Sequence, residues 1–173
     1  MNKSDKIFVA GHRGMVGSAL VRRFEAEGFD NLLKRDRLQV DLRDESVVAK
    51  FFAEETPDVV ILAAAKVGGI KANNDYPVEF LLENLRIQNN VIRSAYENGV
   101  RKLLFLGSSC IYPKLAPQPI QESALLSGPL DPKKVAYAIA QLAGFTVCHA
   151  TVSEEGAHQH QAVRANLYAT TTH

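Results

Sequence analysis

Three glycines at three-residue spacing, Gly11, Gly14 and Gly17, stand between an apolar run and an amphipathic one. No other feature restricts the fold of this chain so strongly. Lys6-Ile-Phe-Val-Ala10 is apolar without alternation, as in a parallel strand covered on both faces. Met15 to Glu27 places Val16, Leu20, Val21 and Phe24 on one helical face and stops at Gly28. In such a strand–turn–helix unit the first glycine permits the tight turn. The second lets backbone approach a pyrophosphate, and the third lets helix and strand pack closely. The helix start then turns free N–H groups and the positive end of its dipole toward the phosphates. A glycine triplet alone is weak evidence, but one framed by strand and helix reads as a dinucleotide loop. Gly11, Arg13, Gly14, Met15, Val16 and Gly17 are therefore expected to bind a cofactor.

The rest of the chain repeats the alternation. Leu32-Leu33 reads as a second strand and Val40-Asp41-Leu42 as a third. Asp44 caps a helix carrying Val47, Val48, Phe51 and Phe52, and Pro57 ends that unit. Val59 to Ala63 is a buried strand. Pro77 to Asn98 is a long helix with Leu81, Leu85, Ile92 and Tyr96 roughly on one face. Lys102 to Leu106 is another strand, and Tyr137 to about Ala150 a further helix. Ser108 to Ala136 is irregular and proline-rich, a length of loop that usually serves function. Thr151 to Gln161 is polar without periodicity, and Ala162 to Tyr168 suits one more short strand. Alternating strands and helices predict an α/β Rossmann-type, doubly wound parallel sheet. The whole chain reads as a single nucleotide-binding domain, residues 1–173, with an atypical tail over 151–173.

Ligands of such sheets bind beyond the carboxyl ends of the strands, and the segment after the second strand reads the cofactor's ribose. There the sequence has Lys34, Arg35, Asp36 and Arg37. Arginine suits a 2′-phosphate through its planar fork, whereas an acid suits a 2′-hydroxyl. Arg37, with Arg13 in the glycine loop, points to NADP(H), while Asp36 keeps NAD open. Asp41 and Leu42 are expected near the adenine, and Ala64 beside the cofactor. Farther along, Ser108 follows a strand and Tyr137 opens a helix. A serine and a tyrosine so placed can bind a carbonyl and move a proton to or from it. The cofactor would supply the hydride.

Composition narrows the class. The chain has 173 residues, 46% of them hydrophobic, and a formal net charge of +1. That is ordinary for a globular protein. No basic run suggests nucleic acid, and no apolar run is long enough to span a membrane. A cytoplasmic location is expected. Two distant cysteines, Cys110 and Cys148, make neither a disulfide framework nor a metal site. His158 and His160 lie close together but without further ligands at metal spacing, and read as a solvated loop.

Four stretches carry a family resemblance. They are Ala10 to Gly17; Leu62 to Ile70 with Ala72-Asn73-Asn74 and Tyr76-Pro77; Leu103 to Lys114; and Tyr137-Ala-Ile-Ala140. Over about residues 5–147 the chain resembles the extended short-chain dehydrogenase/reductases. Within them it is similar to the branch that converts GDP-4-keto-6-deoxy-D-mannose to GDP-L-fucose by two epimerisations and an NADPH-dependent reduction. The resemblance implies a GDP-sugar substrate, with Ser108 bonding its ketone and Tyr137 protonating the developing alkoxide. It also implies Cys110 as the epimerisation base and a homodimer formed through helices 77–98 and 137–150.

Two departures stand out. The family's tyrosine is followed four residues later by a lysine, whose charge lowers the phenol's pKa; here the residue is Gln141. Family members also continue well past the motif that Asn166-Leu167-Tyr168 matches, with a region that forms most of the sugar site. The chain is thus expected to be C-terminally truncated and impaired in turnover. The alternative is an inactive remnant that binds a dinucleotide or dimerises.

Overall fold

The computed structural model describes residues 1–155 and 160–163. Five parallel strands form one sheet: β1 (Ile7–Ala10), β2 (Leu32–Leu33), β3 (Val59–Leu62), β4 (Lys102–Leu106) and β5 (His160–Val163). Their order across the sheet is β2-β1-β3-β4-β5. The helices are α1 (Met15–Ala26), α2 (Glu45–Glu55), α3 (Ile70–Asp75), α4 (Pro77–Glu97) and α5 (Val135–Glu155). Single turns of 3₁₀ helix at Ser109–Ile111 and Glu122–Ala124 interrupt the long loop.

Why the short apolar runs become strands is visible in their two-sided burial. Phe8, Ala10, Val60, Leu62, Leu103 and Phe105 face a core shared with Val48, Phe51 and Phe52 of α2, Val91, Ile92 and Ala95 of α4, and Cys148 of α5. The alternate residues Ile7, Val9, Val59 and Ile61 face Phe24 of α1, with Leu20 and Val21 packed beside it. Side chains on a strand alternate faces, so a strand clad by helices on both sides must be apolar throughout. Phe8 meets Phe51 at 4.7 Å and Phe52 edge-on at 6.0 Å between ring centroids. These contacts fix α2 against the centre of the sheet. The Asp44 carboxylate caps α2 as expected, accepting from the backbone N–H of Ser46 and Val47.

Several expectations need correction. Val40, Asp41 and Leu42 form no strand; Val40 is a buried plug in a turn, its N–H bonded to the Asp36 carbonyl at 2.9 Å. The final helix begins at Val135 and runs through Glu155, past the polar composition that hid its last turn. The last strand lies at His160–Val163, before the predicted Ala162–Tyr168, and so takes His160 out of the expected loop. Residues 164–173 and His158 lie outside the described residues. Helix α3 lies where the sequence pattern predicts no element.

α4 buries a different face from the one its leucines suggest. Phe80, Asn84, Gln88, Val91, Ile92 and Ala95 are inside, so of the expected face Ile92 is buried while Leu81, Leu85 and Tyr96 are half-buried. The two amides are tolerated because they are bonded. Asn84 accepts from the Lys66 N–H at 2.7 Å and donates to the Phe80 and Lys66 carbonyls. Gln88 donates to the Ala140 carbonyl of α5 at 2.7 Å. Gly144 leaves the room for this, since a Cβ there would meet the Gln88 side chain at 2.8 Å.

Candidate functional site

The chain reverses direction at β1. The β1–α1–β2 unit runs to one side of the sheet, and β3, on β1's other flank, starts the run to the opposite edge. Loops diverging from this switch point leave a crevice at the carboxyl end of the sheet. A cleft of about 770 Å³ opens there, lined by Gly11 to Val16, residues 35–37, residues 40–43, Ala63 to Val67, Glu83 and Ile87. A second cavity of about 260 Å³ continues past Val16 and Ala63 to Ala65 toward Ser108, Ser109, Tyr137 and Gln141.

The floor is a glycine turn with no room for side chains. Gly11 has φ +85°, and a Cβ on it would lie 2.8–2.9 Å from the Ala63–Ala64 backbone. A Cβ on Gly17 would lie 2.1 Å from the Gly11 carbonyl oxygen. Gly17 is buried while Gly14 is exposed at the rim, so the third glycine serves packing and the second faces the cleft. The Gly14 N–H bonds the Gly11 carbonyl at 2.9 Å. Met15 and Val16, the first residues of α1, line the cleft with Arg13.

The rim is charged and largely self-paired. Arg13 meets Asp36 at 3.1 Å, Arg35 meets Glu55 at 2.6 Å and Arg37 meets Asp41 at 3.6 Å. Arg43 chelates Asp41 with two bonds, of 2.9 and 2.6 Å, and reaches Glu83 at 3.5 Å. That fork holds the Asp41 carboxyl well below the usual carboxylate range. Lys66 lies 2.5 Å from Glu79 and 2.9 Å from Glu83, and these bonds raise its pKa and lower that of Glu83. His12 is held below its ordinary value, chiefly by burial and then by Arg13.

At the far end of the crevice three polar side chains converge. The Ser108 hydroxyl stands near both Cys110 and Tyr137 and works to lower the pKa of each. Burial pushes the Tyr137 phenol up to about 12, with Cys110 adding to the rise and Ser108 opposing it. Burial also raises the Cys110 thiol, against Ser108 and the charge of Lys134. Phe80 packs edge-on to the tyrosine ring at 6.4 Å between centroids. One helical turn on, Gln141 is 2% exposed, and its Oε1 has no hydrogen-bond partner. A buried acceptor without a donor is costly.

The structure thus brings the predicted residues together in one crevice: the glycine turn, Arg37, Asp41, Leu42 and Ala64 around the larger cleft, and Ser108, Tyr137 and Gln141 around the smaller. Cys110 lines neither, and sits in the single 3₁₀ turn that follows Ser108. Lys34, weighed with the basic turn, pairs with Glu25 of α1 instead. Sequence reasoning missed Arg43, Lys66 and Glu83 on the rim. The stretch directly after β3 could have revealed Lys66, because loops at strand carboxyl ends form the crevice. Arg43 and Glu83 gave no signal, because their pairing joins a turn to a distant helix.

The profile of the NAD dependent epimerase/dehydratase family matches residues 7–171. This chain belongs to that family. It is 57% identical over 167 residues to GDP-L-fucose synthase 1 of Arabidopsis thaliana, covering 96% of this chain and 52% of that protein. Among solved structures it resembles a GDP-mannoheptose C4 reductase from Campylobacter jejuni with NADP bound. There the TM-score is 0.90 at 38% identity, over 94% of this chain and 51% of the other. It also resembles a GDP-L-fucose synthetase from Naegleria fowleri bound to NADP, at TM-score 0.84 and 28% identity, over 95% of this chain and 50% of the other. The chain spans about half the length of the curated relatives it matches. Among the described residues no helix is long and apolar enough to cross a membrane.

Proposed function

We propose that this chain is the nucleotide-binding, proton-handling half of a GDP-L-fucose synthase-like enzyme. Such an enzyme performs NADPH-dependent epimerisation and reduction of GDP-4-keto-6-deoxy-D-mannose. The observation that carries this reading is the continuity of one crevice from the glycine turn to the Ser108–Tyr137 pair. The residues fit a dinucleotide on two independent grounds. The turn is cleared of Cβ atoms where a pyrophosphate's approach requires it, and the buried Gln141 Oε1 lacks a donor that a ribose hydroxyl can provide. Gly11 to Gly17 would hold the pyrophosphate, Arg13 and Arg37 the 2′-phosphate, and Asp41, Leu42 and Ala64 the adenine side. The bound cofactor supplies hydride to a carbonyl.

The chain's own chemistry follows from position. The Ser108 Oγ donates a hydrogen bond to the substrate ketone oxygen, drawing electron density from the carbonyl carbon. With its pKa pushed up to about 12, the Tyr137 phenol is protonated at neutral pH and can give its Oη proton to an alkoxide. The cost lies in regenerating and tuning that acid, because Gln141 brings no charge to stabilise the tyrosinate. Cys110 Sγ can take a proton from a carbon next to the ketone only as thiolate, and burial disfavours that form. The buried, uncharged Gln141 favours a second reading, in which the chain binds dinucleotide with little turnover. Exposed Val78 and Leu82 on α4, with Val135 and Ile139 on α5, support a homodimer through these two helices.

Calorimetric titration with NADPH and NADH tests the proposal. NADPH binding that weakens about tenfold in Arg37→Ala supports it, that being the scale of a lost charge-assisted bond of ~1.5 kcal/mol. A folded chain that binds neither nucleotide refutes it.

A further inference from the structure

Resting on the dinucleotide reading above, we infer that Asp36 is a specificity-determining residue that narrows the preference for NADP(H) over NAD(H) by occupying Arg13. Asp36 follows β2, where the ribose is read, and it lines the larger cleft. Its two carboxylate oxygens do different work. Oδ1 accepts from the N–H groups of Leu38 at 3.0 Å and Gln39 at 3.1 Å, closing the turn. Oδ2 meets the Arg13 guanidinium at 3.1 Å. The Arg13 side chain is otherwise 75% exposed, whereas that of Asp36 is 22% exposed. The carboxylate is therefore fixed by its turn, and the arginine comes to it.

A 2′-phosphate that draws on Arg13 has to displace the Asp36 carboxylate from it and then sit beside a fixed negative charge, which repels it. A 2′-hydroxyl carries no charge and meets no such repulsion. Arg35 offers no substitute, since Glu55 holds it at 2.6 Å. Arg37, which has only a loose contact with Asp41 at 3.6 Å, is left as the principal phosphate ligand in this turn.

The two oxygens can be separated experimentally. Asp36→Asn keeps Oδ1 for the turn and replaces Oδ2 with an amide nitrogen, which cannot accept from Arg13. NADPH and NADH affinities of the full chain are measured by calorimetry for wild type, Asp36→Asn, Arg13→Ala and the double variant. The expected result is NADPH binding about three- to fivefold tighter in Asp36→Asn, with NADH changed by less than about twofold, the scale of one freed, exposed charge contact. Arg13→Ala should then weaken NADPH more in the Asp36→Asn background than in wild type. An NADPH/NADH ratio unchanged or lowered in Asp36→Asn, with wild type binding NADPH, overturns the inference and leaves the dinucleotide reading standing. Binding of neither nucleotide to any folded form overturns both. Where Asp36→Asn does not fold, Arg13→Ala alone decides. A loss of NADPH affinity under about threefold supports an arginine already engaged, and a loss above about tenfold refutes it.

Discussion

Alanine at Gly17 should separate α1 from the turn that feeds it. The new Cβ would stand 2.1 Å from the Gly11 carbonyl oxygen, 2.7 Å from its carbon and 2.9 Å from the His12 Cα. All three are backbone atoms, so no side chain can swing aside. That carbonyl also accepts the Gly14 N–H, so moving it loosens the cradle. Overpacking costs about 1–3 kcal/mol, occasionally more, and an overlap this deep against backbone belongs at about 4 kcal/mol. Alanine's better helix propensity returns about 1 kcal/mol. The net of about 3 kcal/mol corresponds to a fall in Tm of about 6–12 °C for a chain of this size. NADPH affinity should fall on the order of tenfold or more, because the amides aimed at the phosphates move with the carbonyl. Gly69→Ala, where an added Cβ meets nothing within 4 Å, is the control, and Gly14→Ala, with one contact of 3.3 Å, should fall between. Thermal denaturation and calorimetry on the three variants measure the series. A Gly17→Ala protein that melts within about 2 °C of wild type and binds NADPH equally well would refute this account of the turn.

Two further outcomes are expected. Gln141→Lys places an ammonium one helical turn from Tyr137; a unit charge about 6 Å away at an effective dielectric near 20 is worth about 2–3 kcal/mol, or roughly 2 pKa units. The phenol should then titrate well below about 12, as read by ultraviolet difference titration against a Tyr137→Phe blank. Acid stability should depend on Arg43, whose bonds depress Asp41 and add to the larger effect of Lys66 on Glu83. Carboxylates with lowered folded pKa values contribute stability that is present above their unfolded pKa, about 4, and is lost as pH falls through the folded one. Arg43→Met should therefore move the midpoint of acid unfolding to higher pH, and its stability deficit should shrink at pH 2; a deficit independent of pH would count against the pairing.

The sheet was legible because its strands are apolar on both faces, and Ile7 to Ala10 and Val59 to Leu62 leave little else to conclude. The crevice was legible for a related reason: the glycines and the strand ends mark it without any tertiary information. What failed rested mostly on polar bonds. Asn84 and Gln88 interrupt the apolar face of α4, yet both are buried, held by their bonds to the Lys66 and Ala140 backbones. Val40 to Leu42 has strand composition, but the Asp36 turn recruits Val40 as a plug. The ion pairs of Arg13 and Arg43 join separate segments, so local sequence shows the charges and not who neutralises them. Asp36 illustrates this, since its identity left NAD open and only its contacts reveal a competitor for the phosphate's ligand.

The stretch from Leu33 to Val40 has a mechanical character of its own. β2 pairs with the sheet only through Leu32 and Leu33, and between two apolar pegs, Leu33 and Val40, residues 34–39 touch the hydrophobic interior little. Such a segment is a cassette. Apart from Arg35, which Glu55 of α2 holds, its exposed residues can be exchanged without repacking β1 or α2, because the pegs carry its attachment and the turn carries its shape. A descendant of this chain could change which nucleotide it uses by rewriting a few rim positions, and the scaffold underneath would not register the change.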